Sequence, residues 1–369
     1  MPFADELIGP HTANALVRAI HVAAPTAALT SLQSASTSLT PLSLRERSDL
    51  LRDALLRDLP GDYGSFVATI RRAQHGVPMF SGWLIWPVTG AVAAKAIGEN
   101  TDAAFDDALQ LLAELTSRLT SEFAIRSLLD HDLDRALPVI QTWTASPEVD
   151  IRRLASEGTR AFLPWSTRVR GLLAHPRATL PIITALYRDR SEYVRRSVAN
   201  HLNDLSRQQP AIVVETARAW LAHPDENTAR LVAHGLRTLV KRGDPEALSL
   251  LGFAPAVSIA VEGPVLDAAA VPFGGTVRFG VGVVNKGDQP ARLAIDYIVH
   301  HSKATGTQTG KTFKLTTATL APGDRLDRTR DHSFRAITSR RYYPGPHAIE
   351  LQVNGLVMGR AEFELLPEV

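Results

Sequence analysis

The sequence predicts an N-terminal all-α array of paired-helix repeats followed by an all-β sandwich, a multidomain α plus β chain. Three observations carry this expectation. Residues 148–157, 192–202 and 226–236 share one pattern, and alignment on Arg153, Arg196 and Arg230 spaces them by 43 and 34 residues. Apolar residues recur every three to four positions from about residue 45 to residue 251, the period of amphipathic helices. After Gly252 the apolar period becomes two, and the runs are separated by turn-forming clusters.

Taken in order, the first 43 residues, rich in Ala, Thr and Ser, fit one or two short helices. Helices are predicted over 45–59, 63–74, 105–119, 121–129, 137–144, 150–157, 168–174, 180–187, 193–204, 212–222, 228–241 and 245–251. Prolines at 147, 164, 176, 181, 210, 224 and 245 punctuate them near helix starts, where a missing N–H costs nothing. Repeats of this length are those of HEAT-type solenoids, in which each unit buries its apolar stripe against its neighbours. The uncharged stretch 76–94 contains Pro78, Pro87, Ser81 and Thr89, so it predicts a buried helix pair around Trp83 and Trp86 rather than a membrane span. Beyond 252, Val277, Phe279, Val281 and Val283 alternate with polar or small residues, as do Leu293, Ile295, Tyr297 and Val299. Asn354-Gly355 between Ile349-Leu351-Val353 and Leu356-Met358 predicts a hairpin with a type I′ turn. Seven or so strands without a helix signal fit an immunoglobulin-like sandwich. The domains are therefore expected at 1–253 and 256–369.

The 369 residues, 45% of them hydrophobic, suit two or three globular domains. Cysteine is absent, which excludes disulfides, thiolate metal sites and thiol catalysis. The 12 histidines show no ligand spacing, so neither metal nor small-molecule cofactor is expected. No basic n-region precedes an apolar core at the N-terminus, so the expectation is a cytoplasmic, monomeric protein that engages no membrane. The formal net charge is only +2, yet residues 168–202 carry seven arginines against Asp189 and Glu192, a local 7 − 2 = +5. Arginine-rich surfaces suit phosphate, although a charge run is as often a solvated helix face.

Within this basic region lie a few acids. Glu157 closes a repeat helix, with Gly158 as its expected terminator, and its counterparts in the other repeats are Asn200 and His234. Glu122 precedes it by 35 residues, about one repeat, so the two carboxylates are expected to face one groove; Asp204 could add a third. Carboxylates beside phosphate-binding arginines can stabilise an oxocarbenium-like sugar and orient or deprotonate water when a cationic base leaves. Trp165 could pack on that sugar, and Arg160, Arg168 and Arg195 or Arg196 could hold the flanking phosphates. Each acid alone is more often half of a surface ion pair, and Trp165 more often a packing anchor.

These residues resemble the DNA alkylation repair glycosylases of the AlkC and AlkD superfamily, AlkC more closely. The likeness rests on Met79-Phe80-Ser81-Gly82-Trp83, Ser121-Glu122-Phe123-Ala124-Ile125-Arg126, Arg152-Arg153-Leu154-Ala155-Ser156-Glu157-Gly158-Thr159-Arg160 through Leu163-Pro164-Trp165, and the helix from Glu192 to Asp204. It covers most of residues 40–250, and the trailing β region is similar to the immunoglobulin-like extension of one AlkC branch. The resemblance implies a monofunctional base-excision glycosylase that hydrolyses the N-glycosidic bond of 3-methyladenine, and of 3-methylcytosine, in double-stranded DNA. It implies no enclosed base pocket. Glu122, Glu157 and Asp204 would be catalytic; Trp165, Arg153, Arg160, Arg168, Arg195 and Arg196 would bind DNA. Thr159-Arg160-Ala161-Phe162 is less basic than the family pattern. Arg325, Arg328, Arg330, Arg335, Arg340 and Arg341 of the β region could clamp the duplex. The competing reading is a non-catalytic HEAT scaffold that binds nucleic acid or protein.

Overall fold

The computed structural model describes residues 4–337 and 340–368; the extreme ends of the two predicted domains lie outside the described residues. The helices are α1 (Pro10–Ala23), α2 (Thr30–Thr37), α3 (Leu44–Asp58), α4 (Tyr63–Gly76), α5 (Ile85–Glu99), α6 (Asp102–Leu115), α7 (Ile125–His131) and α8 (Leu133–Thr142). They continue as α9 (Val149–Gly158), α10 (Arg170–Ala174), α11 (Leu180–Leu186), α12 (Glu192–Leu205), α13 (Pro210–Ala222), α14 (Thr228–Gly235), α15 (Arg237–Arg242) and α16 (Pro245–Leu250). Their starts are chemically specified. A Ser43/Glu46 capping box opens α3, and the side chains of Asp62, Thr101, Asp132 and Asp244 accept from the first-turn N–H groups of α4, α6, α8 and α16.

Two expectations about helices are corrected. The segment around Trp83 and Trp86 is one helix, α5, entered through a 3-10 turn at Gly82–Leu84, because that turn absorbs the sharp entry and leaves Pro87 in the first helical turn. Trp86 is buried, whereas Trp83 is only half-buried. The helix predicted over 228–241 is interrupted at Leu236, which splits it into α14 and α15. No helix among the described residues is long and apolar enough to cross a membrane.

The chain forms two compact units. One comprises residues 1–205 and 223–235, the other 206–222 and 236–369. This division differs from the composition change near 253, because Leu248 and Phe253 pack with Ala294 of the β region and the backbones of Gly243 and Gly355 meet there. In the first unit the repeats stack in register. Asn200 and His234, aligned positions in successive repeats, join through a 3.0 Å Oδ1···Nε2 hydrogen bond. One position later in the repeat come Gly158, His201 and Gly235. A Cβ on Gly158 would lie 2.8 Å from Ile125 Cγ2, and one on Gly235 would lie 2.8 Å from Leu202 Cδ2. Gly158 is thus a close-packing residue inside the last turn of α9, not the left-handed terminator expected from sequence.

Among the described residues of the second unit eight strands form two sheets: β1 (Ile259–Leu266), β2 (Ala270–Val271), β3 (Thr276–Asn285), β4 (Ala291–Ser302), β5 (Gln308–Leu320), β6 (Arg325–Ser333), β7 (Gly345–Val353) and β8 (Leu356–Leu365). The orders are β1-β3-β6 and β2-β8-β7-β4-β5. The inward set Val277, Phe279, Tyr297, Val299, Ile349 and Leu351 makes the core between them, as the period of two requires. Asn354 and Gly355 both take positive φ, 45° and 84°, and join β7 to β8 as the expected hairpin.

Candidate active site

The predicted acids converge in the first unit, held by two arginines. Glu122 lies in the turn before α7 rather than within a helix, so it is not the repeat equivalent of Glu157. Its Oε2 nevertheless accepts from Arg153 Nη1 at 2.7 Å and from Thr120 Oγ1 at 2.8 Å. The same guanidinium places Nη2 at 3.7 Å from Glu157 Oε1. Arg160, one helical turn beyond Glu157, donates from Nη1 to Glu157 Oε1 at 2.6 Å and from Nε to Asp204 Oδ2, on α12, at 2.9 Å. The chain of contacts is therefore Glu122–Arg153–Glu157–Arg160–Asp204.

All three acids are withdrawn from solvent, at 8%, 6% and 3% exposure for Glu122, Glu157 and Asp204. Three carboxylates against the two bridging guanidinium groups leave the chain with a formal charge of −1. Glu122 Oε1 and Glu157 Oε2 accept no hydrogen bond from any described residue, so each acid keeps one oxygen with unused acceptor capacity. Burial opposes the charge on Arg153, but Glu122 and Glu157 more than offset it and hold the guanidinium above its ordinary range. Burial likewise opposes charge on Arg160, outweighed there by Asp204 and Glu157. Beneath the network His201 is fully buried, bonded through Nδ1 to Ser156 O at 2.9 Å and through Nε2 to Thr179 Oγ1 at 3.0 Å. Burial and then the charge of Arg160 push its pKa down to about 3, so it stays neutral.

Residues 260–367 match the family described as the C-terminal Ig-like domain of the uncharacterised protein YhaZ. The YhaZ protein of Bacillus subtilis (strain 168) is 31% identical over 325 residues, which cover 88% of this chain and 88% of that protein. The solved structure of Pseudomonas fluorescens alkylpurine DNA glycosylase AlkC, bound to DNA containing an abasic site analog, is similar with a TM-score of 0.90 and 30% identity, covering 99% of this chain and 100% of that chain. The chain belongs to the AlkC family. In this AlkC-family chain the expected architecture, helical repeats followed by an Ig-like domain, is the one observed.

The expected DNA-binding residues divide into two sets. Arg168 and Arg196 are exposed. Trp165 is 60% exposed, so the packing-anchor alternative does not hold, and its φ is +59°. Arg153 and Arg160 were expected on the phosphate-facing surface and are instead turned inward, because neighbouring carboxylates satisfy their donors better than solvent contact would. Arg195 is half-buried and donates to Asp189 O at 2.6 Å and Asn227 Oδ1 at 3.2 Å. In the second unit Arg325 pairs with Glu262 and Asp327, and Arg340 with His301, so two of the six expected clamp arginines are engaged within the protein.

Sequence reasoning assigned no role to Arg126, Thr120 or Tyr193. Arg126 is fully buried, and Tyr193 lies under Arg153, whose Cζ is 4.8 Å from the ring centroid. One signal for Arg126 was available: it interrupts an otherwise apolar buried run with Ile125, Leu128 and Leu129.

Proposed function

We propose that this protein is a DNA glycosylase of alkylation repair, which hydrolyses the N-glycosidic bond of cationic N3-alkylated bases, 3-methyladenine and 3-methylcytosine, in double-stranded DNA. The observation that carries this reading is the buried Glu122–Arg153–Glu157–Arg160–Asp204 chain, two of whose carboxylates keep an unbonded oxygen. Family membership and the similarity to an alkylpurine DNA glycosylase bound to DNA support this reading of the substrate.

A base that already bears a positive charge leaves without prior protonation, so the protein needs no general acid. As the C1′–N bond lengthens, positive charge moves to the sugar, and the open carboxylate oxygens stabilise it. One of them accepts a proton from the water that attacks C1′, and the neutral base departs. The arginines hold the acids in place, so no reorganisation is needed during the reaction. The exposed Trp165 indole offers the sugar an apolar face, while exposed Arg168 and Arg196 hold phosphates. No lysine takes part in the network, so the enzyme is monofunctional and leaves the abasic strand intact.

The test is incubation of purified protein with methylated duplex DNA at low salt, where phosphate contacts are strongest, with chromatography of the released bases. Release of 3-methyladenine, lost in E157Q, supports the reading. Tight DNA binding without any base release would favour the scaffold alternative.

A further inference from the structure

Residues 159–169 form an irregular loop between α9 and α10 that leaves the repeat and returns to it. One side chain ties both its ends. The Arg126 guanidinium donates from Nη1 to Gly158 O at 3.1 Å and to Arg160 O at 2.7 Å, and from Nε to Thr167 O at 2.7 Å. Two more arginines hold carbonyls along the span: Arg168 Nη1 donates to Leu163 O at 3.4 Å while stacking on Phe162, and Arg45 donates to Trp165 O. At the tip stands Trp165, exposed and left-handed, a conformation that a tryptophan keeps only when its surroundings over-determine it.

Arg126 is a costly way to hold a loop. It is 0% exposed, and its Nη2 has no hydrogen-bond partner among the described residues. Burial, then the charges of Arg168 and Arg160, push its pKa down to about 10, which still leaves it charged at neutral pH. Capping the C-terminal carbonyls of α9 would explain the bonds to Gly158 and Arg160. It does not explain the bond to Thr167, which needs the fixed fork of a guanidinium.

We propose that Arg126 is a positioning residue: by tying Gly158, Arg160 and Thr167 it fixes both the Trp165 indole and the backbone of Arg160, and so aligns the aromatic contact with the carboxylate network. The inference rests on the glycosylase reading for its consequence, but not for its geometry. Arg126 reaches the reaction through Arg160, which holds Glu157 and Asp204, and through the loop that presents Trp165.

The test is 19F NMR of the full chain labelled with 5-fluorotryptophan, which gives one resonance for each of the five tryptophans; W165F assigns that of Trp165. In the wild type the Trp165 line is as broad as that of buried Trp143, because a tied loop tumbles with the molecule. In R126K, whose single ammonium cannot span three carbonyls, the Trp165 line alone shifts and narrows. Single-turnover release of 3-methyladenine falls roughly 10- to 100-fold, the effect of a misplacement near 1 Å. On a W165A background the same change costs less than about threefold, since coupled residues are not additive whereas a general loss of fold multiplies. A Trp165 line already narrow in the wild type overturns the proposal, as does a line and rate unchanged in R126K. Should R126K not fold, the wild-type line width decides alone. A wild type that releases no base, while R126K still loosens Trp165, would sink the glycosylase reading and leave the positioning role standing.

Discussion

Replacing Glu157 by Gln removes one negative charge and almost no volume from the centre of the carboxylate network. Glu157 Oε1 accepts from Arg160 at 2.6 Å and faces Arg153 at 3.7 Å, and a glutamine oxygen can still accept from Arg160. Each arginine keeps a second carboxylate, Asp204 at 2.9 Å and Glu122 at 2.7 Å. The fold should therefore lose only about 1.5–3 kcal/mol, the worth of a charged hydrogen bond, rather than the ~3–5 kcal/mol of an orphaned buried charge. The chemical step loses more. A carboxylate ~4 Å from a developing sugar cation is worth about 4 kcal/mol at an effective dielectric near 20. That agrees with the ~10²–10³-fold cost of deleting one preorganised electrostatic group. Binding to a duplex with an abasic-site analog should be unchanged or tighter, because the formal charge of the network rises from −1 to 0 beside phosphates. The assay is single-turnover base release from methylated duplex, with anisotropy for affinity and a thermal melt for stability. Release within about threefold of wild type by a folded E157Q protein would refute this account of catalysis.

Three further outcomes are expected. Gly158→Ala should lower the melting temperature despite the better helix propensity of alanine, since its Cβ would lie 2.8 Å from Ile125 Cγ2 and Ile125 is fully buried; an unchanged or raised melting temperature removes the close-packing explanation. Asp189→Ala should cost about 1.5–3 kcal/mol, because Arg152 loses the bonds from Nε and Nη2 at 2.6 and 3.1 Å but keeps those from Nη1 to Ser146 O and Pro147 O, read as a lower midpoint in urea; a loss below about 1 kcal/mol would show the pair to be dispensable. In the Ig-like region burial pushes His301 to about 3, His332 to about 4 and His347 below its ordinary value, so each takes up a proton less readily in the folded chain than in the unfolded one. Their stabilising effect is complete above about pH 6.5 and is lost as pH falls from there toward 4, because the unfolded chain binds protons first. Calorimetry from pH 7 to 4.5 should show that loss, and a flat stability profile would contradict it.

Local patterning made the order of elements legible: the apolar period marked the repeat helices, and its change to two after Gly252 marked the strands. The Asn354-Gly355 turn is a property of two consecutive residues, so a single sequence displays it. Composition also placed a boundary near 253, whereas α13, α15 and α16 belong to the same compact unit as the β strands. Packing partners decide compact units, and a composition change does not name partners.

The sequence by itself determined which acids were candidates, because charge is written along the chain; its expectation that Glu122 and Glu157 occupy equivalent positions of successive repeats did not hold. Only the tertiary structure decided what those acids meet. Glu122 comes from a turn and Glu157 from a helix end, and they share the guanidinium of Arg153, which lies 31 residues after Glu122 and one helical turn before Glu157. Arg153 and Arg160 look like surface cations in a linear reading and become internal bridges once carboxylates from other elements surround them. The physical reason is that an arginine in a sequence has a charge but no partner; burial and fold geometry supply the partner, and with it the difference between a phosphate contact and the framework of the site.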